Sequence, residues 1–315
     1  MENLKKILTF IALLLFTSCN NSVDTVKLEK NIPIDIVSYL KENESKVPNL
    51  RLKTEKTIIW ANPQKKDKTK FSIIYIHGFT GTRQETYPLA DIIAKKIGAN
   101  LFYTRLTGHG LDGESLAKAT MNDWLGDALE ALEIGRRIGE KVVIIGSSTG
   151  GTLATWLAQR EDANNIYSLV LLSPNFGLKD YRSEFITLPG AKYIVPLIAG
   201  KNITWKPLNS KHAGYWTMSY PYIAAIPMME LVKMVRKSKL EKINIPVLTI
   251  FSPKDSIINI NKLEDVQSKL GSKQKKIVKI EKSLNDNNHI LAGDILAPDN
   301  TEFLAKIITD FIHAK

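Results

Sequence analysis

Cysteine is nearly absent: the 315 residues contain one, Cys19. No intrachain disulfide is available, so the fold must rest on burial and hydrogen bonding. Histidines, cysteines and carboxylates nowhere stand at metal-ligand spacing, so no metal is expected. No Lys-Ser or Lys-Thr follows a glycine-rich turn to make a phosphate loop, and G-x-G-x-x-G is missing. Both absences argue against a nucleotide cradle, and no cofactor is expected. There is no internal repeat. Negative charge is in deficit, with 43 Lys and Arg against 32 Asp and Glu for a net +11. Lysines gather at residues 65–70, 233–242 and 273–276. Such a balance suits an anionic surface, but no aromatic-interleaved basic groove accompanies it. The lysines read as a solvated surface, and no nucleic-acid partner is expected.

What remains is an ordinary globular composition, 44% hydrophobic and 24% charged, long enough for one large α/β domain with an insertion. Its N-terminus is distinctive. Lys5 and Lys6 precede a short apolar run at residues 7–16, followed by Thr17 and Ser18. This is the charged, apolar and small-residue order of an export signal, too short for a comfortable membrane span. Because it ends on Cys19, it resembles a bacterial lipoprotein signal whose cysteine becomes the lipidated first residue, although Phe16 replaces the leucine usual three residues earlier. The reading divides the chain into a signal at 1–18, a tether at 19–31, a core at 32–174 and 245–315, and a cap insertion at 175–244. It implies a bacterial envelope location, periplasmic or surface-exposed, with a membrane as partner through Cys19; a secreted protein is the fallback.

From residue 32 onward, helical and strand-like patterns alternate. An amphipathic helix is expected at 32–46, strands at 57–61 and 71–77, a helix at 84–97, a strand at 100–104 and a helix at 122–139. Strands follow at 142–147, 166–172, 246–251 and 276–281, and a helix at 301–313 closes the chain. This alternation predicts an α/β fold with a mostly parallel sheet covered by helices on both faces. The interval between Pro174 and Asn244 breaks the pattern with aromatics, prolines and methionines, and reads as an apolar-lined cap.

The chemistry centres on Gly146-Ser147-Ser148-Thr149-Gly150, which fits G-x-S-x-G at a strand-to-helix turn. So tight a turn crowds the positions two before and two after the serine, where only very small residues fit. That frame selects Ser148 over Ser147, which would put Ile145 and Thr149 at the crowded positions. A nucleophilic serine needs a base, an acid to orient it and donors for the oxyanion. Along the chain the acid and then the histidine follow the serine, which leaves His289 or His313. His313 ends the terminal helix; His289 lies in a loop after a late strand and is the expected base. Asp255, just past the 246–251 strand, is the expected acid, ahead of Asp265 and Asp286. Backbone N–H groups of Thr149 and Phe79 are the expected oxyanion donors. His77 and His109 read as loop stabilisers, and His212 has no assigned role.

Together His77-Gly78-Phe79-Thr80-Gly81, Arg105-Leu106-Thr107-Gly108-His109-Gly110, Asn122-Asp123-Trp124, the elbow, Asp255, and His289 followed by Asp294 resemble the α/β-hydrolase superfamily. Within it they are most similar to bacterial carboxylesterases and monoacylglycerol lipases. The resemblance implies a serine hydrolase cleaving a small apolar ester through an acyl-enzyme on Ser148. The alternatives are the same triad acting on a peptide, thioester or acetylated glycan, or a non-catalytic envelope lipoprotein.

Overall fold

The computed structural model describes residues 26–28 and 31–314. The export signal and Cys19 lie outside the described residues. Among the described residues nine strands are formed: β1 (Thr57–Ile59), β2 (Thr69–Ile76), β3 (Asn100–Tyr103), β4 (Gly139–Ser147), β5 (Ile166–Leu172), β6 (Asn202–Thr204), β7 (Ser219–Pro221), β8 (Val247–Phe251) and β9 (Lys275–Lys279). Seven make one sheet in the order β1-β3-β2-β4-β5-β8-β9, while β6 and β7 pair separately. Every pairing in the large sheet is parallel except β1 with β3.

The helices are α1 (Ile36–Ser45), α2 (Leu89–Ile97), α3 (Gly113–Lys118), α4 (Met121–Ile138), α5 (Thr149–Leu157), α6 (Ala191–Ala199), α7 (Ser210–Tyr215), α8 (Ala225–Arg236), α9 (Ile260–Lys269) and α10 (Thr301–His313). Successive strand residues face opposite sides of a sheet, and here both sides are covered. Ile74 and Ile76 of β2, with Val142 and Ile144 of β4, join the core shared with α1, α4, α5, α8 and α9. Ile73, Tyr75, Val143 and Ile145 join the opposite core, under α2 and α10. Burial on both faces explains why the central strands read as unbroken apolar runs.

Two local differences from the sequence reading have clear causes. The helix expected from residue 84 begins at Leu89. Pro88 disfavours helical backbone at Tyr87, and Glu85 turns inward instead. The first helix starts at Ile36 rather than residue 32, capped by the Asp35 carboxylate accepting from the Ser38 N–H. Val26 and Leu28, within the stretch read as tether, pack against the core.

The segment between β5 and β8 is neither a loop nor a separate core. Met228, Met229, Leu231, Val232 and Val235 of α8 belong to the main core, and Trp216, Tyr220 and Tyr222 are buried. Tyr181, Phe185, Tyr193 and Trp205 are instead exposed, so the apolar surface of this segment faces outward as well as inward. On α6, Tyr193, Ile194, Leu197 and Ile198 are all solvent-facing.

Candidate active site

Parallel strands of an open sheet present their carboxyl ends to one crevice, and the expected residues converge there. Ser148 follows β4, Asp255 lies beyond β8, and His289 lies in the long connection after β9. Ser148 has φ 50° and ψ −114°, a strained conformation of the kind found where a side chain must be presented. The turn tolerates this because its flanks are bare. A Cβ on Gly146 would stand 2.5 Å from the Gly150 carbonyl oxygen, and one on Gly150 would stand 2.0 Å from that of Ile76. Gly150→Ala is therefore expected to cost more than ~4 kcal/mol. Loss of soluble, cooperatively melting protein is the readout, and a wild-type melting temperature would contradict it.

The Ser148 hydroxyl donates to His289 Nε2 at 3.0 Å, and His289 Nδ1 donates to Asp255 Oδ2 at 2.7 Å. The other carboxylate oxygen of Asp255 accepts from the Ile257 and Ile258 N–H groups at 2.8 and 3.1 Å. The acid is thus locked on both sides. The base loop is fixed in turn: the Ser256 N–H donates to the Asn287 carbonyl at 2.9 Å, and the His289 N–H to Asn287 Oδ1 at 3.0 Å. His313 is exposed at the end of α10, and Asp265 pairs with Lys269 on α9. Neither reaches the site.

Facing the elbow is the loop after β2. His77 accepts from the Leu106 N–H at Nε2 (3.0 Å), so its proton sits on Nδ1 and is donated to the Gly78 carbonyl at 2.9 Å. The Gly81 N–H also donates to that carbonyl, at 3.3 Å. Peptide N–H and C=O point in opposite directions across a planar unit. Pinning the Gly78 carbonyl therefore turns the Phe79 N–H the other way. Thr149 opens α5, and the first N–H groups of a helix have no partner within it. Phe79 and Thr149 are the two residues whose N–H groups the sequence reading expects as oxyanion donors.

Phe79 rests on an aromatic bed, edge-to-face with His109 (6.0 Å), Trp124 (6.0 Å) and Tyr220 (5.4 Å). Trp124 is oriented by donating to the Thr107 carbonyl at 2.9 Å, and Asp127 holds the Thr107 N–H at 2.6 Å. Asp127 also pairs with buried Lys56, which bonds Glu130 as well. The Arg105-to-Gly110 segment is thus the support of the Phe79 loop. His109 takes part both as a turn residue, its N–H donating to the Leu106 carbonyl, and as a ring in the bed.

The insertion touches this same loop. The Thr217 N–H donates to the Thr80 carbonyl at 2.9 Å. On the other flank the Asn175 N–H donates to the Ser148 carbonyl at 3.0 Å, and Asn175 Nδ2 reaches Met228 Sδ at 3.4 Å. His212, unassigned from sequence, accepts from the Leu208 N–H and sets its ring edge-on to Trp216. From Phe185 through Met229 the chain contains Lys192, Lys201, Lys206 and Lys211 but not one Asp or Glu.

Two buried titratable groups flank the Phe79 loop with opposite tendencies. Burial pushes His77 down to about 4, and burial pushes Glu85 up to about 7. A buried neutral histidine makes the protein less stable as pH falls from about 6.5 to about 4, because the unfolded chain takes up the proton first. A buried acid of raised pKa acts the other way. Its stabilisation is full below the unfolded value near 4.5 and is lost as pH rises to about 7. At ~1.4 kcal/mol per pKa unit, each group spans up to about 3 kcal/mol, and the two slopes largely cancel. Glu85→Gln removes one of them. The stability of the wild type relative to E85Q should fall by up to about 3 kcal/mol between pH 4.5 and 7. Thermal unfolding of both proteins across that range checks it, and parallel curves would refute it.

A seven-stranded, mostly parallel sheet with serine, acid and histidine at the carboxyl ends of successive strands defines an α/β-hydrolase. The chain belongs to the family described as serine aminopeptidase, S33, which matches residues 67–225, and it is a hydrolase. That span holds the Phe79 loop and the elbow but ends before Asp255 and His289. The chain is 23% identical over 248 residues to a thermostable monoacylglycerol lipase of Bacillus sp. (strain H-257), covering 78% of this chain and 95% of that one. Its fold is similar to that of a metagenome-derived lipolytic enzyme described with LipS and LipT: TM-score 0.66, 19% identity, covering 85% of this chain and 99% of the other. It is also similar to the fold of a monoacylglycerol lipase from Paleococcus ferrophilus: TM-score 0.61, 14% identity, covering 82% and 98%.

Proposed function

We propose that the protein is a serine esterase acting on small apolar esters of the monoacylglycerol kind. The observation that carries this reading is the continuous relay from Ser148 through His289 to Asp255, with hydrogen bonds of 3.0 and 2.7 Å. Ser148 Oγ attacks the ester carbonyl as its proton passes to His289 Nε2. The oxyanion is received by the N–H groups of Phe79 and Thr149. Collapse of the tetrahedral intermediate breaks the bond to the alkoxy oxygen, and His289 returns the proton to the departing alcohol. Water then enters, gives its proton to His289, and releases the acid from the acyl-enzyme. Asp255 keeps the proton of the neutral imidazole on Nδ1, so that Nε2 is free to accept.

The family description raises a peptide substrate as the second reading. An aminopeptidase must hold the free ammonium of its substrate, for which a carboxylate is the natural partner. In the insertion Asp180 and Glu184 are taken by Arg182, Arg236 and Lys262, Glu230 and Glu241 are exposed, and the aromatic stretch between Phe185 and Met229 carries no acid, which favours an uncharged acyl or aryl ester. The deciding experiment compares p-nitrophenyl esters and a monoacylglycerol with amino-acid p-nitroanilides. Turnover of the monoacylglycerol with none detectable for the anilides is expected, and a preference for the anilides would overturn the reading.

We further propose residues 175–244 as a cap and Cys19 as a lipid anchor placing the enzyme at a bacterial envelope. The signal-like N-terminus and the outward apolar face of α6 support that placement. Metabolic palmitate labelling that vanishes in Cys19→Ala is the expected result.

A further inference from the structure

Glu85 has no part in the relay, yet it is almost wholly buried next to it. Its Oε1 accepts from the Gly78 N–H at 2.8 Å and from the Tyr75 hydroxyl at 2.8 Å. A Cβ placed on Gly78 would stand 3.1 Å from Ser148 Cβ and 3.2 Å from Glu85 Oε2. One glycine therefore separates the carboxyl from the serine. Gly81 lies over the other side, where a Cβ would meet Glu85 Oε2 at 2.4 Å and Trp216 Nε1 at 3.4 Å.

Gly78 is the soft link of this loop, because without a Cβ its two backbone dihedrals are free. Fixing it takes one clamp on each side of its Cα. On the far side the Gly78 carbonyl is held by His77 Nδ1–H and the Gly81 N–H. On the near side the Gly78 N–H is held by Glu85 alone among the bonds described. We propose that Glu85 is a positioning residue of the oxyanion loop: by holding the Gly78 N–H it completes the two-sided clamp that aims the Phe79 N–H at the substrate's carbonyl oxygen. The inference rests on Ser148 and the Phe79 N–H having the roles given above.

The groups facing Glu85 are Tyr75 on β2, Ser147 at the end of β4 and His289 after β9, while the Trp216 indole from the insertion lies near Gly81. Oε1 accepts hydrogen bonds in either protonation state of the carboxyl, so the clamp survives a change of charge. Length and charge thus have separable consequences, which two variants isolate. Glu85→Asp keeps the charge but withdraws the oxygen by about one bond length, ~1.5 Å. Glu85→Gln keeps the reach and an accepting oxygen but cannot ionise.

The experiment measures kcat and KM for a p-nitrophenyl ester from pH 5 to 9, per active site titrated with a fluorophosphonate, for wild type, E85D, E85Q and Ser148→Ala. E85D is expected to lower kcat by ~10- to 100-fold, up to the effect of a lost oxyanion donor, with KM changed less than about threefold. E85Q keeps kcat within about tenfold across that range, because its amide oxygen still accepts from the Gly78 N–H. The proposal is overturned if E85D matches the wild-type kcat. It is also overturned if E85Q loses as much as E85D. Should E85D yield no titratable sites, E85Q decides: kcat retained within about tenfold supports the proposal and a larger loss ends it. Activity in S148A would instead remove the reading of the site itself, whatever the Glu85 variants do.

Discussion

Ser148→Ala lowers ester hydrolysis by at least ~10⁴-fold and abolishes labelling by a fluorophosphonate. The size of the loss follows from the geometry. Ser148 Oγ is the one hydroxyl within hydrogen-bond range of His289 Nε2 among the described contacts, at 3.0 Å. Ser147, its neighbour, is buried on the sheet side and faces Glu85 rather than the histidine. It cannot substitute without reversing the turn, which Gly146 and Gly150 permit in one frame only. Alanine at 148 keeps the backbone and removes one atom, so the protein should melt as the wild type does. Steady-state kinetics with a p-nitrophenyl ester, together with probe labelling, checks both parts. Residual turnover within ~100-fold of wild type would contradict the assignment, because binding and the oxyanion donors alone leave only a small remnant over water.

Asp255→Asn should be nearly as damaging, lowering kcat by ~10³- to 10⁴-fold with KM changed little. The carboxylate accepts on both oxygens, from Ile257 and Ile258 N–H on one and from His289 Nδ1 on the other. An asparagine satisfies the two backbone donors with its carbonyl, which leaves its NH₂ facing His289. Nδ1 must then become the acceptor, and the ring proton moves to Nε2, where it confronts the serine hydroxyl instead of receiving from it. Fold and pocket are preserved while the base is held in the wrong tautomer. Kinetics of D255N alongside its melting temperature tests this. A loss that appears in KM, or as unfolding, would show that Asp255 only braces the loop.

Much of this site could be read from sequence because its parts are local patterns. The 166–172 strand and the 301–313 helix stand where periodicity put them, and the glycine frame singled out Ser148 before any long-range contact was known. Asp255 and His289 were legible through chain order, since parallel strands deliver their ends to one edge. Glu85 was not. Its neighbours in sequence read as the start of a helix, and a carboxylate inside a helical pattern signals a solvated face. What turns it inward is a contact with Gly78 and Tyr75 that leaves no periodic trace, although Pro88 was a warning that the helix had not yet begun. The grip of the insertion on the Phe79 loop was equally hidden, because Thr217 and Thr80 meet through backbone atoms, which carry no residue signature. The antiparallel pairing of β1 with β3 escaped for the same reason.

The most direct test of the account is to trap the covalent intermediate. Acid quenching during turnover of a p-nitrophenyl ester, followed by proteolysis and tandem mass spectrometry, should find the acyl group on Ser148 and nowhere else. An acyl group on another residue, or turnover with no acylated peptide in a burst-competent sample, would contradict the central claim.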